Sequence, residues 1–177
     1  MACGSAIAGV HMSTEPLYVT PPGCRIFPAD CTEHYQSAQS LFMRYAESLD
    51  FDLDFQDFDR ELDTRPGAYA PPRGTLLIAE RNGLHVGCVG VRPLEHDICE
   101  MKRLYVEPEA RGIHLGQCLA RASIRSAQQM GYRTMRLDTV GTMREAIALY
   151  RRLGFYSIAP YRPNPIPSAQ YFELILS

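Results

Sequence analysis

The 177-residue sequence lacks the patterns that mark membrane, secreted and nucleic-acid-binding proteins. No apolar stretch approaches the ~20 residues that a membrane-spanning helix needs. The short apolar run near the N-terminus is not preceded by a basic region, as it would be in a secretory signal. The basic residues form neither a run nor an RNA-binding signature. We therefore expect a cytoplasmic protein that binds neither membrane nor nucleic acid.

Metal-binding and nucleotide-binding motifs are missing as well. The six cysteines contain no Cys-x-x-Cys pair and the five histidines have no paired spacing, so we expect no metal site and mostly reduced, buried thiols. A nucleotide P-loop requires a Gly-Lys pair, which does not occur here. The Gly-x-Gly-x-x-Gly fingerprint of dinucleotide-binding proteins is also absent. These two common phosphate-binding folds are therefore excluded.

One segment, residues 98–116, nevertheless indicates a phosphate-bearing cofactor. It reads as a strand, a tight loop with Gly112 and Gly116, and the start of a helix. In such a segment, backbone N–H groups converge on a phosphate at the helix N-terminus, where the helix dipole also favours negative charge. Residues 1–100 carry 7 basic and 15 acidic side chains, whereas residues 101–177 carry 11 and 5. The positive second half contains the loop, which suits a cofactor with several phosphates.

Apolar periodicity and turn residues predict one domain over residues 23–177, preceded by a flexible tail over 1–22. Asn82-Gly83 is typical of a tight hairpin turn. Residues 98–138 read as a β-α-β unit, whose two strands should be parallel. A capping box, Thr142 to Glu145, predicts the start of the last helix. The predicted strands are 24–27, 75–80, 84–91, 98–106, 134–138, 155–159 and 170–176, and the predicted helices begin near 33, 55, 115 and 142.

Two motifs resemble those of the GNAT acetyltransferases. Arg111 to Gly116 fits Arg/Gln-x-x-Gly-x-Gly/Ala, with His114 in place of the first glycine of that motif; histidine tolerates a positive φ better than most residues. Ala146 to Phe155 is similar to the family's Ala-x-x-Leu-Tyr…Gly-Phe segment and follows in the expected order. The resemblance implies a GNAT-type acyl-CoA N-acyltransferase fold, that is, an α/β domain with a mixed, largely antiparallel sheet and about four helices. It also implies acetyl-CoA as cosubstrate and N-acetylation of an amine.

The resemblance further implies roles for individual residues. Glu100 matches the strand glutamate that serves as a base in some members, and a base is useful because a lysine-like amine is protonated at neutral pH. Tyr150 resembles the acid that protonates the departing thiolate, and a backbone N–H near Leu104 would bind the oxyanion. The residues alone leave alternatives open: Glu100 could pair with Lys102 or an arginine, and Tyr150 could be a packed aromatic. The implied cofactor-binding residues are Leu104, Tyr105, Val106, Arg111, Gly112, Ile113, His114, Leu115, Gly116 and Gln117.

The acceptor is the least determined part of the prediction. We expect direct attack by a primary amine of a small molecule in a ternary complex, and we allow for a homodimer. Eight carboxylates over residues 47–63 would attract a cationic amine, although such a run is also typical of a solvated helix face. The loop Pro160 to Ser168 contains four prolines and could form one wall of the acceptor site or a purely structural turn. One alternative is a protein or peptide acetyltransferase. Another is a CoA-binding module without turnover, because His114 replaces a glycine of the motif and Met143 stands where the resemblance often implies Asn, seven residues before Tyr150.

Overall fold

The computed structural model describes residues 18–49 and 66–176. In this part of the chain, seven strands form one mixed sheet of order β1-β2-β3-β4-β5-β7-β6, accompanied by three α-helices. Only β4 and β5 pair in parallel among these strands. The predicted α/β fold class and its parallel pair are therefore confirmed. The strands are β1 Cys24–Pro28, β2 Thr75–Arg81, β3 Leu84–Pro93, β4 Ile98–Val106, β5 Thr134–Val140, β6 Tyr156–Ile158 and β7 Ala169–Ile175, and the helices are α1 Thr32–Glu47, α2 Leu115–Gln129 and α3 Arg144–Arg152.

Two predicted elements fall outside these residues. They are the apolar helical stripe near residue 55, together with most of the acidic segment 47–63, and the larger part of the tail 1–22. At the end of that tail, the hydroxyl of Tyr18 lies 2.9 Å from Oγ of Ser126 on α2, and Tyr18 packs against the main core. No helix in the described ranges is both long enough and apolar enough to cross a membrane.

The predicted capping box at the last helix is wrong. Met143, not Thr142, is the N-cap residue of α3, and no side chain caps the helix. The chain first makes a tight turn in which the N–H of Arg144 bonds to the carbonyl of Thr142. Met143 is held from the preceding strand, where the hydroxyl of Thr139 donates to its sulfur at 3.4 Å. The helix therefore begins one residue later than the box implies.

The two faces of the sheet have different cores. On one face α1 packs Leu41 and Phe42 against strand residues that include Ile78 and Cys88. On the other face α2 and α3 cover a larger cluster centred on Leu119. Each such large apolar side chain contributes about 1.5–3 kcal/mol when it is fully buried. The β4–β5 region lies between these layers and is therefore held in place from both sides.

A β-bulge lies in β4 where this strand pairs with β3. Cys88 of β3 pairs with Tyr105 and Gly90 pairs with Lys102, so two β4 residues stand opposite the single residue between them. Arg103, inside this bulge, has a left-handed φ of 57°. A bulge bends its strand, and the parallel pairing of β4 with β5 ends at Glu100. Beyond that residue the two strands diverge and a gap opens between them.

Candidate active site

A cavity of about 520 Å³ occupies the gap between β4 and β5. Its walls are β4 from residue 101 onwards, the loop and first turn of α2, the end of β5, and α3. Residues from the end of α1 and from the loop 160–168 also line it. Of the ten predicted cofactor-binding residues only Ile113 is not part of the lining. The nine that line the cavity are Leu104, Tyr105, Val106, Arg111, Gly112, His114, Leu115, Gly116 and Gln117.

The loop before α2 is shaped as a phosphate site requires. His114 is the N-cap residue and has φ 62° and ψ 16°, so the histidine adopts the left-handed conformation expected of a glycine at this position. The first helical hydrogen bond runs from the N–H of Cys118 to the carbonyl of His114. The N–H groups of the preceding turn are therefore free of helical partners and can bind an anion. The first turn contains no acidic residue that would compete for this position.

Side chains near this loop add positive charge. Arg111 and Arg152 both line the cavity, with Glu145 as an acidic neighbour in the lining. Arg111 is oriented by a hydrogen bond of 2.9 Å from its Nε to the carbonyl of Val106. Its guanidinium also lies 6.0 Å from the ring centroid of Tyr105. This end of the cavity is therefore suited to a polyphosphate group.

Tyr150 extends from α3 into the same cavity. Its ring packs against Phe155 and Phe172, with centroid distances of 5.8 and 6.4 Å. Among the described residues, no hydrogen-bond partner is found for its hydroxyl. Burial raises the pKa of Tyr150 well above its usual value, so the phenol is protonated at neutral pH. The ring is packed as a core aromatic would be, while the hydroxyl is left available to a bound molecule.

Glu100 lies where the strands are still paired, and it does not line the cavity. Its side chain is fully buried. Oε2 accepts hydrogen bonds from Nε and Nη2 of Arg92 at 2.9 and 2.8 Å. Oε1 accepts one from the hydroxyl of Tyr161 at 2.7 Å and lies 3.3 Å from Nη1 of Arg162. The geometry is that of an ion pair with arginines, which was the alternative to the base role; the base role stays a prediction.

A second buried carboxylate, Asp138, does line the cavity. Its Oδ1 lies 3.2 Å from Nζ of Lys102 and 2.5 Å from Nη2 of Arg162, and its Oδ2 accepts a hydrogen bond from Asn164 at 3.1 Å. Burial alone would raise the pKa of Asp138, but the charges of Lys102 and Arg162 outweigh burial and lower it. Burial lowers the pKa of Lys102 to about 8, although Asp138 opposes that shift. Sequence reasoning did not single out Asp138 or Arg162.

The proline-rich loop 160–168 is a wall of the cavity, as one of the two interpretations proposed. Asn164 and Ile166 line the cavity, and the side chain of Asn164 accepts the N–H of Ile166 at 2.9 Å. Tyr161 packs its ring 5.4 Å from that of Tyr171 and donates its hydroxyl hydrogen to Glu100. Burial and the nearby carboxylates raise the pKa of Tyr161. Specific polar contacts therefore hold the loop in place, and part of the loop lines the cavity.

The mixed, largely antiparallel sheet with one parallel pair is the fold that the resemblance implied for an acyl-CoA N-acyltransferase. The model of the acetyltransferase (GNAT) family matches residues 31–155. An uncharacterised N-acetyltransferase of Schizosaccharomyces pombe is 42% identical over 139 residues, which cover 77% of this chain and 85% of that relative. The chain belongs to the GNAT family. It is an acetyl-CoA-dependent N-acetyltransferase, and acetyl-CoA is its cosubstrate.

Solved structures support the fold. An acetyltransferase of the GNAT family from Staphylococcus aureus has a TM-score of 0.73 at 17% identity, covering 87% of this chain and 99% of that chain. The yncA protein of Salmonella typhimurium, solved with its cofactor acetyl-CoA, has a TM-score of 0.61 at 20% identity, covering 88% and 95%. At these identities the likeness concerns the fold alone.

Proposed function

We propose that this enzyme transfers the acetyl group of acetyl-CoA to the primary amine of a small molecule, by direct attack in a ternary complex. The observation that carries the proposal is the single cavity that joins the α2 N-terminus to the buried polar groups around Asp138. A cofactor bound at the N-terminus of α2 and an acceptor bound beside Asp138 would meet at the bulge. Direct transfer needs this arrangement, because the amine has to reach the thioester carbon.

The cofactor-binding role of the loop follows from its free backbone donors. The N–H groups around Leu115, Gly116 and Gln117 would bind the pyrophosphate, with Arg111 adding positive charge. The pantetheine arm would lie along residues 104–106, whose backbone is not paired with β5. A backbone N–H near Leu104 would then bind the oxyanion as the tetrahedral intermediate forms.

Tyr150 is proposed as the acid. Tyr150 lines the cavity, and its hydroxyl is protonated and has no hydrogen-bond partner among the described residues. It can therefore give a proton to the thiolate of CoA as the C–S bond breaks. For the base, Glu100 acting through water and a group on the cavity wall are the candidates, and they are separated below.

A small acceptor suits this cavity better than a peptide does. Tyr45 and Ser48 line the cavity on one side, and Asn164 and Ile166 line it on another. A peptide substrate would need an open groove on both sides of its reacting amine. Of the eight carboxylates over residues 47–63, which favoured a cationic acceptor, all but Glu47 lie outside the described residues, so the charge preference of the acceptor stays a prediction.

The state of the cysteine thiols supports a proposal for the cellular compartment. The cysteines of the described ranges form no disulfide with one another; they are Cys24, Cys31, Cys88, Cys99 and Cys118. Thiols that are not paired in disulfides are typical of a reducing compartment. We therefore propose a cytoplasmic location.

An acceptor screen tests the proposed activity. The purified chain and acetyl-CoA are incubated with a panel of cationic, neutral and anionic small amines and with lysine-containing peptides, and released thiol is measured. We expect steady thiol release above the acceptor-free rate with at least one small amine. Release with peptides only would favour a protein acetyltransferase. Binding of acetyl-CoA without release for any amine would favour the CoA-binding module.

A further inference from the structure

Lys102 is the only lysine of a chain that contains 17 arginines. Its side chain is 5% exposed and lines the cavity. A lysine is seldom buried to this degree unless it is paired, and here Asp138 lies 3.2 Å away across the gap. Arginine would satisfy the same carboxylate, but arginine cannot release its proton under these conditions. The single lysine therefore places a titratable amine in the cavity wall, where Asp138 holds it.

The position of Lys102 along β4 is also informative. It lies two residues before Leu104, the predicted source of the oxyanion donor, and both residues line the cavity. Glu100 points to the same face of the strand, since side chains alternate along a strand, but it lies in the paired part, where Arg92 and Arg162 hold it. Of these two strand residues, Lys102 is the one that a molecule in the cavity can contact.

We propose that the side-chain amine of Lys102, held by Asp138, takes the proton from the acceptor amine. This inference rests on the proposed acetyl transfer. The lone pair of the neutral acceptor amine attacks the thioester carbon, so that a C–N bond forms and the C–S bond breaks. The surplus proton on nitrogen passes to the neutral amine of Lys102, and Tyr150 protonates the departing thiolate. Afterwards Lys102 loses its proton to solvent and Tyr150 regains one, which gives the amide and free CoA.

The surroundings of Lys102 suit this task. Asp138 on β5 and Glu100 on β4 favour its charged form, whereas burial, Arg162 of the loop and Arg103 of the bulge favour the neutral form. The balance sets the pKa of Lys102 at about 8. A base is most effective when its pKa lies near the working pH, because both of its forms are then populated. Asp138 stabilises the ammonium once the proton has arrived.

The single lysine allows a direct measurement that needs no acceptor. When the full chain is labelled with ¹³C at Cε of lysine, its NMR spectrum contains one lysine Cε signal. We expect this signal to titrate with a midpoint near pH 8, against about 10.4 for an exposed lysine. A midpoint near 10.4 would overturn the proposal, because such a group would stay protonated through the reaction.

Kinetics with an acceptor from the screen test the role itself. Lys102→Arg keeps the positive charge beside Asp138 but removes the titratable amine, so we expect kcat to fall about 10²-fold. In the wild type, the acidic limb of kcat should coincide with the NMR midpoint for two acceptors whose own amine pKa values differ; in Lys102→Arg this limb should disappear. Glu100→Gln is the matched control and should keep the limb, moved slightly to lower pH because one carboxylate near Lys102 is lost.

The opposite result, a limb retained in Lys102→Arg and lost in Glu100→Gln, would assign the base to Glu100 and refute the proposal. Calorimetric binding of acetyl-CoA to each variant checks that the cavity is intact. If Glu100→Gln does not fold, the coincidence of the wild-type limb with the lysine midpoint decides the question, and a limb elsewhere counts against Lys102. Failure of the proposed function would differ from all of these outcomes, since the wild type itself would then release no thiol.

Discussion

Gly116 offers a test in which stability and cofactor binding should change in opposite directions. It is the second residue of α2 and lines the cavity. A Cβ added there would meet only Cγ2 of Val106, at an ordinary contact distance of 3.7 Å. The free protein therefore has room for Gly116→Ala, and alanine is the better helix former by up to about 1 kcal/mol. We expect the variant to be as stable as the wild type or more stable.

Cofactor binding should respond differently. A Cβ at residue 116 would project into the space where the pyrophosphate has to approach the backbone closely. We expect calorimetry to show at least a tenfold weaker Kd for CoA, about 1.4 kcal/mol, and a larger loss for Gly116→Val. Gly131→Ala is the matched control, because Gly131 follows α2 at its other end with φ 82° and does not line the cavity. That variant should lose about 1 kcal/mol of stability and keep its affinity. Unchanged CoA binding by Gly116→Ala would refute the phosphate site at this helix.

Two further predictions concern titratable groups. Tyr150→Phe keeps the ring packed on Phe155, so kcat should fall while the KM for acetyl-CoA and the Tm stay nearly unchanged; a lower Tm with normal turnover would instead mean that the hydroxyl is structural. The pKa of Lys102 is about 8 in the folded protein, below the value of an unfolded chain. Between pH 8 and pH 10 the unfolded chain therefore binds more protons at this lysine than the folded protein does. The contribution of Lys102 to the free energy of unfolding consequently becomes more favourable as the pH rises over this range. The free energy of unfolding of the wild type minus that of Lys102→Met should therefore increase by about 2 kcal/mol over this range in urea titrations. Burial raises the pKa values of Cys99 and Tyr105 to about 12. Both residues are present in the wild type and in the variant, so their effects on stability cancel in the difference. A difference that does not change with pH would contradict the lowered pKa of Lys102.

The sequence was most informative where the structure depends on neighbours along the chain. Asn82-Gly83 has positive φ at both residues, as the predicted hairpin turn requires. The strand over 98–106 begins and ends where its apolar pattern does. His114 adopts the left-handed backbone that its place in the motif demanded. In each case the deciding interaction lies within a few residues, so a local pattern contains the necessary information.

The capping box failed for the opposite reason. Thr142 and Glu145 have the right spacing for reciprocal caps, and an isolated peptide would favour them. In the folded chain the hydroxyl of Thr139 holds the sulfur of Met143, and Glu145 lines the cavity instead of capping the helix. A contact with the preceding strand thus replaced a local one. The sequence pattern of the helix contains no information about this competing contact with the strand.

The proton-transfer groups show where sequence reasoning about this site ends. Alternation along β4 assigns Glu100 and Lys102 to one face of the strand, so the sequence alone offers both to the cavity. Which of them lies beside bound substrate depends on where β5 stops pairing, and pairing stops at Glu100. It depends also on Arg162, which comes from 62 positions further along the chain and contacts both Glu100 and Asp138. Arg162 neutralises Glu100, which resembles the family base, and it also pairs with Asp138, which the motifs do not indicate. The likeness of a single strand residue to the family base is therefore weak evidence for its role. The titration of Lys102 is the measurement that distinguishes Lys102 from Glu100 as the base.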